Sequence, residues 1–130
     1  PQTDALRLGE KVGAYLAAQN VSAVFVGSTD LTHYGPNYRF GPKGSGPKAI
    51  DWVRHENDLG FIEKVLEKNS TAALSHGLEQ QSACCPGAVV ATMQAIKAYQ
   101  GDISPQLLEH FLSYDVLPSD SFVGYASILL

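Results

Sequence analysis

Asp30 and His33 stand three residues apart in the segment Gly27-Ser-Thr-Asp-Leu-Thr-His-Tyr-Gly35. That spacing lets a carboxylate and an imidazole meet on one turn of a short helix. A carboxylate beside an imidazole orients the ring and raises its basicity, which suits a general base or a metal-ligating histidine. The second reactive feature is the pair Cys84-Cys85, followed at once by Pro86-Gly87 and a helical stretch. A thiol at a helix N-terminus lies among unpaired amides at the positive end of the dipole, a setting for a nucleophile or a soft metal ligand. The competing reading of the pair is a buried, inert small hydrophobe. Tyr34, Tyr38 and Arg39 add two aromatic faces and a guanidinium close to His33, suited to stacking and to holding an anion. The other histidines carry less: His55 reads as a solvated residue, His76 as a packing residue, and His110 as part of a tail strand. No His-x-x-x-His, Cys-x-x-Cys or Gly-x-Ser-x-Gly pattern occurs, and the Gly-rich run 41–46 does not sit between a strand and a helix.

These residues need elements to hold them. Val21, Ala23, Val24, Phe25 and Val26 form a nearly unbroken apolar run that reads as a strand buried on both faces. The crevice beyond the carboxyl end of such a strand is where open α/β sheets bind ligands, and Asp30 and His33 follow directly. A helix is expected over 4–18, with Leu8, Val12, Tyr15 and Leu16 as its inward stripe. The Gly- and Pro-rich stretch 35–48 reads as a long loop, equally a lid or a plain surface excursion. Helices are expected over 50–67, 71–80 and from Pro86 to about Tyr99. Two tail strands, 107–117 and 121–130, are expected to join through Pro118-Ser119-Asp120, with Gln106 to Phe111 equally a helix on local propensity. The expected fold is therefore α/β, a mixed sheet with Val21–Gly27 central and helices on both faces. Helix and strand at the front look like the second half of a βαβ crossover.

Bulk properties narrow the classes. The chain has 130 residues, 9 Lys plus Arg against 13 Asp plus Glu, and a net charge of −4. This fits one folded domain and argues against an electrostatic nucleic-acid binder. No apolar run approaches the roughly 20 residues of a membrane helix. Two adjacent cysteines are no disulfide framework, so a cytoplasmic location is expected.

The segment from Gly27 to Gly35 resembles the Ser-Ser-Asp-x-x-His-Trp/Tyr-Gly segment of the Memo family, component B of the AmmeMemoRadiSam grouping. Ala83-Cys-Cys-Pro-Gly87 before a helix is similar to the family's Cys-Gly, and Ser121-Phe-Val-Gly-Tyr-Ala-Ser127 resembles its closing strand. The resemblance spans nearly all of the chain and implies a fold related to the class III extradiol dioxygenases, which are non-haem iron enzymes. It implies a pocket to which Asp30, His33 and Cys84 contribute, with further histidines from an N-terminal half not contained in these residues. Cys85 stands where the family has glycine, which leaves open which thiol faces the pocket. The chain is thus expected to be the C-terminal portion of a Memo-like domain. Its missing N-terminal half is the expected partner, with AMMECR-type and radical SAM proteins implied by the grouping.

Two functions follow from these residues. In the first, a metal-dependent redox enzyme holds iron or copper with His33 and Cys84, while Asp30 orients an imidazole or acts as base. A thiolate among the ligands is unlike the two-histidine, one-carboxylate set of ring-cleaving dioxygenases. In the second, the same cleft holds a peptide or small molecule through Tyr34, Tyr38 and Arg39 without turnover.

Overall fold

The computed structural model describes residues 3–130. Helix α1 (Thr3–Ala18) is followed by a segment without regular structure over 19–32 and then strand β1 (His33–Tyr34). A single 3-10 turn (Pro36–Tyr38) opens the loop. One long helical rod follows: α2 (Pro47–Trp52), a π-helical turn (Val53–Asp58) and α3 (Leu59–Leu66). Helices α4 (Ser70–Glu79) and α5 (Pro86–Gln100) come next, then β2 (Gln106–Leu112), the short α6 (Ser113–Val116) and β3 (Phe122–Leu129). The fold is α/β, with helices around a sheet of order β1-β3-β2. Both pairings among the described residues are antiparallel, His33 opposite Val123 and Phe111 opposite Tyr125, and Leu108 makes a bulge in β2.

The expected helices are present because their signals are strong. Asn69 caps α4 by accepting from the Ala72 amide at 3.0 Å, and Pro86 begins α5 where its missing N–H costs nothing. Phe61, Ile62, Val65, Val90, Met93 and Ile96 form the larger core between α3, α4 and α5. A second, smaller core gathers Tyr34, Val53, Leu112 and Phe122 beneath the loop.

Two expectations are corrected. Helix α1 does not bury Leu8, Val12 and Tyr15, which are 61%, 40% and 64% exposed. Its inward face is Gly9 and Gly13, four residues apart, set so closely on Ala91 and Ala95 of α5 that a side chain at either glycine would overlap those carbonyls. Glycines carry no weight in a hydropathy stripe, yet they let two helices approach to backbone contact. The second correction concerns Val21–Gly27, which is not the central strand. Val24 and Val26 are 90% and 83% exposed, whereas Ala23 and Phe25 are half-buried, a period-two alternation proper to a strand but without a hydrogen-bonded strand neighbour among the described residues. Phe25 packs edge-on to Tyr99 of α5, and the Tyr99 hydroxyl donates to the Val21 carbonyl at 2.7 Å. The segment joins the sheet only at its end, where the Leu31 amide donates to Gly124 O and the Gly124 amide to Thr32 O. Between residues 23–29 and the far end of β3 a cavity of about 450 Å³ remains, lined by Val24, Phe25, Val65, Val89 and Ile128 among others. Among the described residues no helix is long and apolar enough to cross a membrane.

Candidate metal centre

The backbone bonds between residues 31–32 and Gly124 give the chain just past Asp30 a strand's alternation. Thr32 faces inward and is fully buried, His33 turns to the opposite side and is partly exposed, and Tyr34 is buried again. On the outward side the His33 Nε2 lies 3.2 Å from Asp30 Oδ2. The two residues meet across a bend leading into β1, not on a helical turn. An Nε2–H donating to Asp30 leaves Nδ1 as the lone-pair nitrogen.

The cysteine loop is tied to the same bend. The Cys84 amide donates to Asp30 O at 3.0 Å, and the Cys85 amide donates to Thr29 Oγ1 at 2.9 Å. The Asp30 amide reaches Cys84 Sγ at 3.4 Å, and the Thr29 hydroxyl lies 3.5 Å from the same sulfur. The Thr29 hydroxyl donates its proton to Asp30 O at 2.9 Å, so the Asp30 amide is the donor that faces this sulfur. Cys85 occupies the N-cap of α5 without a side-chain cap bond. Ligand atoms of Asp30, His33 and Cys84 all lie within 4.8 Å of one another. Donors at about 2.0–2.3 Å from one tetrahedral ion stand roughly 3.3–3.8 Å apart, so the three groups would have to close by about 1 Å or more to share one metal. Their N, O and S donors suit a borderline or soft ion.

A cleft of about 370 Å³ adjoins this group, lined by His33, Tyr38, Phe40, Leu78, Gln81 and Cys84 among others. Tyr38 lies over His33 with ring centroids 4.8 Å apart. Tyr34 is outside this lining. It is 1% exposed, its hydroxyl donates to Gly44 O and accepts from the Lys43 amide, and its ring stacks on Phe122. Its place in the sequence beside His33 suggested a ligand contact, but strand alternation sends it to the other face. Arg39 is exposed in a left-handed conformation, and it too is outside the lining.

Residues the motif did not mark also reach the site. Thr29 clamps the cysteine loop, as described. The Tyr125 ring of β3 lies 5.4 Å from that of Phe111 in a tilted contact, and burial holds its phenol above the usual range, with the Asp30 charge adding to the effect. Behind the cysteines, His76 Nδ1 lies 2.7 Å from Ser82 Oγ, whose hydroxyl donates to the His76 carbonyl. Burial lowers the His76 pKa below its ordinary 6.5, the Lys64 charge lowers it further, and Glu79 and Glu63 oppose. A depressed folded value means that the unfolded chain binds the proton more readily. Stability from this group is full above pH 6.5 and is lost as pH falls through the folded value. The melting temperature is therefore expected to drop on acidification below 6.5. His76→Gln should show a shallower slope over that range, and equal slopes would refute this assignment.

The Memo-like protein family model matches residues 1–129. A MEMO1 family protein of Thermococcus onnurineus (strain NA1) is 29% identical over 107 residues, 82% of this chain. The match covers 37% of that relative, so the chain spans well under half of its length.

Proposed function

This chain belongs to the Memo-like family, and from that premise we propose that Asp30, His33 and Cys84 are part of a metal centre serving redox chemistry. The observation that carries the reading is the convergence of a carboxylate, an imidazole and a sulfur from two separate loops that are hydrogen-bonded to each other. Iron or copper is the ion proposed, and when bound it supplies electron transfer and polarises a bound substrate. His33 supplies a ring nitrogen, Cys84 its sulfur, and Asp30 orients the imidazole or takes a proton from a bound molecule. Tyr38 lines one wall of the cleft beside the His33 ring. The dioxygenase relation, the cytoplasmic location and any pairing with AMMECR-type or radical SAM proteins are proposals on the same footing.

The centre is proposed to be completed by polypeptide of the kind the longer relative has outside the matched region. The apolar gap beside Val24 and Ile128 supports this, since a further extended segment there would pair with two unpaired backbone edges. Three donors at most come from this chain, so affinity is expected to be modest. Anaerobic calorimetry with ferrous and cuprous ions should give one site per chain. His33→Ala and Cys84→Ser are each expected to weaken it by about tenfold or more. Undiminished binding in both variants would exclude the centre.

The second reading is a binding module. The aromatic lining from Tyr38 and Phe40 favours it. A chain that holds no metal yet retains a small aromatic ligand in this cleft would select it.

A further inference from the structure

Two consecutive buried polar residues stand behind the candidate metal centre with no part in its ligand set. Asn57 and Asp58 are 3% and 0% exposed, and both belong to the π-helical turn that interrupts the rod from Pro47 to Leu66. Such wide turns recur where a helix must aim side chains at a functional site. A charged residue buried this deeply is costly unless every lone pair is engaged. Asp58 Oδ1 accepts from the Thr32 amide at 3.1 Å and from the Thr32 hydroxyl at 2.5 Å, and Oδ2 lies 3.0 Å from His110 Nε2. Asn57 Nδ2 donates to Thr32 Oγ1 at 2.9 Å and to the Gln80 carbonyl at 3.1 Å.

The partners of this pair are the two segments that carry the site. Thr32 lies between Asp30 and His33 in the chain, and Gln80 opens the loop that delivers Cys84. Gly124 of β3 completes the arrangement, because any side chain there would overlap the Asp58 carboxylate. We infer that Asn57 and Asp58 form a two-pronged bracket, joined through the Thr32 hydroxyl, that fixes the Asp30–His33 bend and the Cys84 loop in mutual register. They are positioning residues. The inference rests on the reading of Asp30, His33 and Cys84 as one group.

The test uses the 130-residue chain and two readouts. Nitrogen-15 histidine spectra without metal report the His33 tautomer, and cobalt(II) titration reports affinity. In the unaltered chain His33 should be held as the Nε2–H form by Asp30. Asp58→Ala and Thr32→Val should mix its tautomers and weaken cobalt binding by about tenfold or more. Asp58→Asn keeps the carbonyl acceptor for Thr32 and should restore both readouts. Ile103→Ala, a core change away from the bracket, should lower stability and leave both unchanged. Where Asp58→Ala does not fold, Thr32→Val carries the test, since it removes one hydroxyl at constant shape. Folded variants with the unaltered tautomer and cobalt affinity would overturn the bracket. A tautomer that is fixed in the unaltered chain and released in the variants, with no cobalt bound by any of them, would support the bracket and sink the metal reading.

Discussion

Gly13→Ala will destabilise this protein, against the ordinary effect of that substitution in a helix. Alanine in a helix interior is favoured over glycine by about 1 kcal/mol. Here the added methyl would have to occupy the space of the Ala95 carbonyl on α5, a backbone atom that cannot swing aside. Overpacking of this kind costs roughly 1–3 kcal/mol where the structure yields and more where it does not. Sterics should win, and the loss should grow in the Gly9→Ala, Gly13→Ala double variant as α1 is lifted from α5 along two turns. Leu8→Ala, on the exposed face of the same helix, is expected to change stability by no more than about 0.5 kcal/mol. Urea midpoints for the three variants decide the matter. A Gly13→Ala protein at least as stable as the parent would mean that α1 does not sit on α5 as described.

The second large effect is on association. Val24 and Val26 present apolar side chains to solvent from a segment whose backbone has no strand neighbour among the described residues, beside an apolar gap. Unpaired edges with exposed β-branched residues template pairing between chains. The isolated chain is expected to sediment as dimers or larger species at micromolar concentration. Val24→Lys with Val26→Lys should return it to a monomer, since lysines on an edge oppose further pairing. A monodisperse parent chain would show that the gap is satisfied within these residues.

Much of the helical framework was legible because it depends on local signals. Asn69, Pro86 and the spacing of Ile62, Val65, Met93 and Ile96 mark α3 to α5 in the sequence. The tail strands follow from residue type, but the expected strand 107–117 ends at Leu112, and residues 113–116 form α6, where Asp115 accepts from the Leu112 amide. The Val21–Val26 run was legible as strand-like but not as unpaired, because residue type specifies the period of burial and not the presence of a neighbour. The stripe on α1 was misread because Gly9 and Gly13 act by having no side chain. Asp30, His33 and Cys84 were legible as chemistry, and their convergence is a property of the fold: Thr29 and the Asp30 backbone bind the cysteine loop across more than fifty residues. Asn57 and Asp58 left one trace, two polar residues at inward positions of an otherwise amphipathic helix. Their partners, Thr32, Gln80 and His110, are brought to them only by tertiary packing.

The choice between the two thiols is the sharpest point of the proposed centre, because Cys84 lies with Asp30 and His33 whereas adjacent Cys85 does not join the group. Cobalt(II) bound to a thiolate has an intense near-ultraviolet sulfur-to-metal charge-transfer band, and its titration in single-cysteine variants reads the ligand directly. The band is expected in the parent chain and in Cys85→Ser, and its loss is expected in Cys84→Ser. A band that survives Cys84→Ser and disappears in Cys85→Ser would contradict the centre as assigned.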